Sequence, residues 1–203
     1  FAYIASHDLQ APLRHISSYV QLLASKYENT NDSETKQWID FILNSSQKMR
    51  FLISSLLDYS RITRSKLKIE LTDLREIVEN VKETLKETIQ ASKAKVIYSE
   101  LPIVDCSRLH IEQVFANLID NAIKFCKEDL PPEIRISSKP IEGGFGFSVQ
   151  DNGIGIPSYS FDKVFQVFQR LEQKKGTPGT GIGLAIVKKI IELHNGNIWL
   201  KSE

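Results

Sequence analysis

Through the first third of the chain, apolar side chains recur at alternating intervals of four and three. Leu9, Leu13, Ile16, Val20 and Leu23 form one series, and Trp38, Ile42, Ser45, Met49, Leu52, Leu56 and Tyr59 form a second with the same rhythm, in which only Ser45 is small and polar. A repeat of about 3.5 residues keeps one stripe of a helix turned toward a partner, so each series predicts a helix with a coiled-coil-like seam. Between them KYENTNDSE is polar and rich in turn formers, which predicts that the two helices fold back as an antiparallel hairpin. A lone hairpin has little surface with which to cover both seams. A second copy of the chain is the simplest source of the other pair, and the expectation is a homodimer whose four helices form a bundle. The alternative is an intramolecular hairpin capped by the rest of the chain.

Past SRITRSK the period changes. LKIEL alternates like a strand, Asp73 and Glu76 have the spacing of a capping box, and LREIVENVKETLKETI reads as an amphipathic helix. KVIYS and IVDC read as short strands, SRLHIEQVFANLIDNAIKFC as a long helix, and EIRISSK and FGFSVQD as strands around a Gly-rich turn. TGIGLAIVKKIIELH is then a helix closed by Asn195 and Gly196. The expected organisation is a helical hairpin over residues 1–66, then an α/β sandwich with a mixed sheet, helices on one face, over residues 71–203. The chain opens in mid-pattern at FAYIAS and stops after the strand-like GNIWLKSE, so both ends are expected to be truncated.

Composition narrows the function classes. A chain of 203 residues with 41% hydrophobic and 25% charged content supports ordinary globular domains, not disorder. The formal net charge is +1 and the basic residues are dispersed, which argues against a nucleic-acid partner and against membrane contact by this fragment. Cys106 and Cys126 occur singly, without metal-site or disulfide-scaffold spacing, and no apolar run approaches the ~20 residues that span a bilayer. These features point to the cytoplasm, although the full-length protein could be membrane-anchored.

Three clusters carry chemistry. Asn117, Asn121 and Lys124, spaced by four and three, share one face of a helix whose Leu118, Ile119 and Ile123 point elsewhere. Amide oxygens are hard ligands suited to Mg²⁺, and a lysine alongside supplies charge for phosphates. Taken singly, the same face could equally be a solvated one. In DNGIGIP, Gly153 and Gly155 would let a flat ring approach the main chain while Asp151 accepts a hydrogen bond from an exocyclic amine, as adenine would offer. A short DxGxG is equally compatible with an ordinary turn. GTGIGL, with Gly179, Thr180, Gly181, Gly183 and Leu184, leads into a helix amino terminus, where exposed N–H groups and the helix dipole favour phosphate. Between these clusters FDKVFQVFQRLEQKKGTP has the composition of a hinged lid.

Together these segments resemble the transmitter core of a sensor histidine kinase. SHDLQAPLR resembles the H-box, NLIDNAIKF the N-box, DNGIGIP the G1 box, VFQVFQRL the F-box and GTGIGLAIVKKIIELHNG the G2 box, in the family's order. The wording of HDLQAPLR is most similar to kinases attached to phytochrome-like or PAS-type sensors. The resemblance implies a HisKA-type dimerisation and phosphoacceptor hairpin, then an ATP-binding domain of the GHKL (Bergerat) type found in Hsp90 and DNA gyrase. It implies that His7 takes the γ-phosphoryl group of ATP and passes it to an aspartate on the receiver domain of a response regulator, with an upstream sensor domain in the full-length chain. With Leu9 at heptad position d, His7 falls at b, off the seam.

The same resemblance makes Asp8 the acid–base residue beside the ring and Asn121 the Mg²⁺ ligand, with Asn117 beside it. It makes Lys124 and Arg170 phosphate contacts, makes Asp151 the adenine reader, and lays Phe125 against the base. His15, His110 and His194 lack that motif context and are expected to be surface or packing residues. Two departures bear on activity. ATPases of the superfamily carry a water-activating glutamate four residues before the metal-binding asparagine, where this chain has Asn117, so transfer to histidine is expected to outpace hydrolysis. The usual H-box has Thr or Asn four residues after the histidine, where this chain has Ala11, and the expectation is a kinase with little phosphatase activity. A superfamily ATPase and a non-enzymatic, nucleotide-binding dimeric scaffold are the alternatives at this point. The stimulus, the regulator, and transfer within or between chains are not readable from the residues.

Overall fold

The computed structural model describes residues 2–27, 33–64, 67–169 and 181–202, which fall into two compact units, 1–65 and 66–203. In the first unit α1 (Ala2–Lys26) packs along α2 (Ser33–Arg64). α1 runs unbroken across Pro12, whose missing N–H leaves the Asp8 carbonyl without its helical partner. Leu13 clusters with Ile53 and Leu57, and Val20, Ser46 and Ile62 are also buried. On α2 the stripe turned inward is therefore Ser46, Ile53 and Leu57, one residue beyond the expected Ser45, Leu52 and Leu56. The expected stripe is displaced outward, leaving Trp38 63% and Met49 48% exposed, with Phe41 at 74%. α2 thus carries two apolar faces, and the hairpin covers one of them.

In the second unit, β2 (Lys95–Tyr98), β4 (Glu133–Ile141) and β5 (Gly144–Asp151) form a mixed sheet in the order β2-β4-β5. β2 runs parallel to β4 and β4 antiparallel to β5. The parallel pair needs a crossover, and the intervening chain supplies it through β3 (Ile103–Cys106) and α5 (Arg108–Lys124). A two-stranded sheet pairs β1 (Glu70–Asp73) with β3. Strand alternation turns Ile134 and Ile136 of β4 inward, beneath Leu74, Ile77, Val78 and Val81 of α3 (Leu74–Thr84) and Phe115, Ile119 and Ile123 of α5. Arg135, Ser137 and Lys139 on the other face are exposed, so the helices lie on one side of the sheet. α6 (Gly183–Leu193) packs on α5 and buries Ala185, Ile186, Val187 and Ile190. No helix among the described residues is long and apolar enough to cross a membrane.

Several local expectations are corrected. Residues 67–69 have no regular structure, and β1 starts at Glu70. The helix expected over LREIVENVKETLKETI divides into α3 and α4 (Lys86–Ser92), because a turn at Leu85 (φ −95°, ψ 12°) keeps Leu85 and Ile89 against the core. Asp73 caps α3 by accepting from the Arg75 N–H at 2.9 Å, but Glu76 does not return the capping bond; it pairs with Arg108 at 3.0 Å. Residues 196–202 alternate in exposure yet lie in no ladder, since alternation without a backbone partner does not make a strand. Asn195 (φ 60°) closes α6 in the left-handed conformation, and the Gly196 N–H donates to the Ile191 carbonyl at 2.9 Å.

His194 ties α6 to α5, and His110 is buried at the amino end of α5. The Ser107 N–H can only donate, so its 3.0 Å partner, His194 Nε2, is an acceptor. The ring proton then sits on Nδ1 and donates to the Ile190 carbonyl at 2.8 Å, tying the carboxyl end of α6 to the amino end of α5. Ser107 Oγ lies 2.7 Å from Nδ1 of the buried His110. Burial, and secondarily the electrostatic influence of the neighbouring His194, hold the His110 imidazole below the usual histidine range. The unfolded chain therefore takes up this proton at a higher pH than the folded one. The stability contributed by neutral His110 is present above about pH 6.5 and is lost as pH falls through the folded value. The thermal midpoint is expected to drop between about pH 7.5 and pH 5.5, and His110→Gln, which keeps a polar partner for Ser107, to flatten that slope. An unchanged slope in the variant would assign the dependence to another group.

Candidate functional site

Helix α5 is built to be apolar on one side and polar on another. Ile119 is fully buried in the core, and the 3.6-residue period then carries Asn117, Asn121 and Lys124 onto a separate, half-buried face. Asn117 Nδ2 donates to the Gln113 carbonyl at 2.8 Å, which fixes the amide and turns its oxygen outward. That oxygen would lie 3.0 Å from a Cβ on Gly183, the first residue of α6, and Asn121 Nδ2 would lie 3.7 Å from it. The absence of a side chain at Gly183 is what lets both asparagines face the amino terminus of α6. Among the described residues no side chain caps that terminus and no acidic residue stands in its first turn, so its N–H groups, with Leu184 second in the helix, are left open to an anion by the described residues. Lys124, expected on phosphate, has its Nζ on Asp120 Oδ2 at 2.5 Å.

The DNGIGIP loop meets the carboxyl end of the same helix, just beyond Asn121 and Lys124. Asp151 ends β5 in register with Ile134, two residues after the inward-packed Val149 and so on the same face of the sheet. Its Oδ1 accepts from the Gly153 N–H at 2.8 Å, and the Ile154 N–H donates to the Phe125 carbonyl at 3.0 Å. Asp151 Oδ2 has no partner among the described residues. A Cβ at Gly153 would stand 2.6 Å from both Asp151 Oδ1 and the Phe125 carbonyl oxygen, so glycine is required there by the docking of the turn on α5. Phe125 thus acts through its backbone as the cap of α5. Gly155 (φ 74°) and Gly181 (φ 70°) occupy the left-handed region, and the Gly181 carbonyl accepts from the Phe168 N–H at 3.0 Å.

The structure therefore brings Asn117, Asn121, Gly183 and Leu184 together where α6 begins on the last turns of α5, with Asp151, Gly153 and Phe125 at the carboxyl end of the same helix. Arg170, Gly179 and Thr180 lie outside the described residues, as does the second half of the segment expected to be a lid. Its described part, residues 161–169, is a series of turns anchored by buried Val164. His7 and Asp8 lie on α1, in the other unit. One residue went unmarked by sequence reasoning. Asn152 Oδ1 accepts from the Glu133 N–H at 2.8 Å and its Nδ2 donates to the Pro131 carbonyl at 3.0 Å. Only its place inside the glycine loop could have singled it out.

Comparison with known proteins agrees in both units. The family model for the His Kinase A (phospho-acceptor) domain matches residues 1–65. The model for histidine kinase-, DNA gyrase B- and HSP90-like ATPases matches residues 106–203. The chain is 44% identical over 202 residues to phytochrome-like protein Cph1 of Synechocystis sp., covering 100% of this chain and 27% of that protein. The chain thus spans roughly a quarter of the curated phytochrome relatives it matches, 27% and 26% of the first two. Among solved structures, the catalytic domain of histidine kinase ThkA is 31% identical at a TM-score of 0.56, covering 66% of this chain and 86% of that one. ThkA in complex with response regulator protein TrrA matches at 25% identity and a TM-score of 0.64, covering 96% of this chain and 56% of that one.

The close approach at Gly153 makes a prediction. Gly153→Ala forces a Cβ against a carboxylate that holds the turn and against backbone that cannot yield cheaply, and is expected to destabilise the chain by about 1–3 kcal/mol in denaturant unfolding. Gly146→Ala, whose Cβ would meet side-chain atoms of Ile141 and Lys139 at 3.5–3.7 Å, is the control, expected within about 0.5 kcal/mol of the unsubstituted chain. Equal effects at the two positions would contradict the packing described.

Proposed function

Because the chain belongs to the histidine kinases, we propose that it is the phosphotransfer core of a two-component sensor, in which His7 is phosphorylated by ATP and then passes the phosphoryl group to a response-regulator aspartate. The observation that carries this reading is the α5–α6 contact. It sets two amide side chains against an uncapped helix amino terminus, while the Asp151 loop docks on the carboxyl end of α5, one turn beyond Asn121. Such an arrangement can hold a molecule with a phosphate tail and a ring bearing an amine, and ATP is both.

In this reading Asp151 Oδ2 accepts from the adenine amine, and the open N–H groups at Gly183 and Leu184 hold phosphate oxygens. Asn121, with Asn117 beside it, is the residue that would hold Mg²⁺, and the hard amide oxygen of Asn117 turned toward that end of α6 fits such an ion. When bound, the ion supplies charge that neutralises phosphate oxygens as the terminal group leaves. A nitrogen of His7 attacks the γ-phosphorus as the bond to the bridging oxygen of ADP breaks. Asp8 steadies the proton on the other ring nitrogen and stabilises the imidazolium that forms. Asn117 in place of a carboxylate leaves no base beside the ion to activate water, which favours histidine as acceptor.

The partners that follow are a second copy of the chain, a response-regulator receiver domain and an upstream sensor region. The apolar stripe of Trp38, Phe41, Ile42 and Met49 is the surface we assign to the second copy, completing a four-helix bundle. Incubation with γ-labelled ATP and Mg²⁺ is expected to leave acid-labile, base-stable label on the chain, as phosphohistidine does. His7→Gln is expected to abolish that label while nucleotide affinity stays within about twofold. Label retained in this variant, or ATP hydrolysis without label, would overturn the assignment.

A second variant probes the proposed ion site. Asn121→Asp keeps the shape, adds charge and removes the amide N–H₂ group, and is expected to slow labelling more than about tenfold without changing the thermal midpoint by more than a few degrees. An unaltered labelling rate would remove Asn121 from the site.

A further inference from the structure

We propose that Asn152 is a positioning residue for adenine recognition, acting through Asp151; the inference rests on the nucleotide reading above. Asp151 is the last residue of β5, where the ladder that fixes its backbone ends at the pair with Ile134. Beyond it the chain must leave the sheet and turn onto α5. Asn152 follows immediately and points back across the strand pair. Its Oδ1 accepts from the Glu133 N–H at 2.8 Å and its Nδ2 donates to the Pro131 carbonyl at 3.0 Å. The side chain thereby prolongs the β4–β5 pairing by one step with an amide that is donor and acceptor at once. Pro131 and Pro132 have no N–H of their own to offer, so β4 begins at a place where backbone pairing alone is incomplete.

The consequence falls on Asp151. Its backbone is held upstream by the ladder, and its Oδ1 is engaged by the Gly153 N–H at 2.8 Å. The loop is held downstream by the Ile154 N–H on the Phe125 carbonyl at 3.0 Å. Asn152 is the link between these two anchors. With it in place, the direction of Oδ2 is fixed by the scaffold; without it, two loop residues swing between the sheet and the helix. A hydrogen bond from amine to carboxylate weakens steeply with distance and angle, so the loss appears as poorer discrimination for the amine-bearing base. A residue that served stability alone would weaken every nucleotide equally.

The test is calorimetric titration of the whole chain with ADP and with GDP in the presence of Mg²⁺, together with the ATP dependence of labelling. Asn152→Ala is expected to weaken ADP about tenfold and to leave GDP nearly unchanged, so that the ADP-to-GDP preference falls about tenfold. KM for ATP is expected to rise by a similar factor while kcat stays within about twofold. Asn152→Asp, which keeps the acceptor for Glu133 but loses the donor to Pro131, is expected to give a smaller loss of preference and supplies the measurement if the alanine variant fails to fold. A folded variant with unaltered preference and KM, or with reduced kcat alone, would overturn the proposal. If the unsubstituted chain itself shows no preference for ADP over GDP, the adenine reading of the site falls, and this inference falls with it.

Discussion

Helix α5 carries one run of residues into two different environments, and the rest of the second unit is arranged around that demand. Phe115, Ile119, Ala122 and Ile123 enter the core against α3 and the sheet. Asn117 and Asn121 cannot follow them, because burying unpaired amides is costly. They face α6 instead, across a glycine that permits the approach. The ends of the helix are then fixed by what it touches: the Ser107–His194 bond joins its amino end to the carboxyl end of α6. The Phe125 carbonyl at its other end receives the glycine loop. One helix thus positions both halves of the proposed nucleotide site.

Features set by local periodicity were legible in the sequence. The two hairpin helices, the mixed sheet, the polar face of α5 and the glycine loops are written in intervals of two, three and four residues. What escaped was decided by partners distant in the chain. Glu76 was free in sequence to close a capping box, but Arg108, thirty-two positions on, attracts it. His194 looks unremarkable until its ring meets Ser107, eighty-seven positions away. The register of the α2 seam slipped by one residue for a related reason. Two apolar stripes lie side by side on that helix, and spacing alone does not say which of them faces α1.

The glycines illustrate how a correct residue can be chosen for an incomplete reason. Gly153 was expected to make room for a ring. In the structure it makes room for the protein itself, since a Cβ would strike Asp151 and the Phe125 carbonyl before any ligand arrived. A turn drawn tight against α5 engages Asp151 Oδ1 and leaves Oδ2 without a partner among the described residues, which is the oxygen the proposed adenine contact uses. Asn152 belongs to the same device, although its bonds run to β4.

The charges around α5 bear on how an anion is held. Lys124 is matched by Asp120 one turn earlier, so the described part of this face offers little net positive charge. Among the described residues, the attraction available to phosphate at the proposed site comes mainly from the amino terminus of α6, where no described side chain caps the first turn and no carboxylate stands in it. Bare N–H groups favour a bound anion by direction as much as by charge, and they lose that advantage if α6 slides along α5. The contacts at the two ends of α6, Gly183 beneath the asparagines and His194 on Ser107, resist that slide. The described part of the proposed site is therefore organised less by accumulating charge than by keeping a helix end uncapped and holding it still.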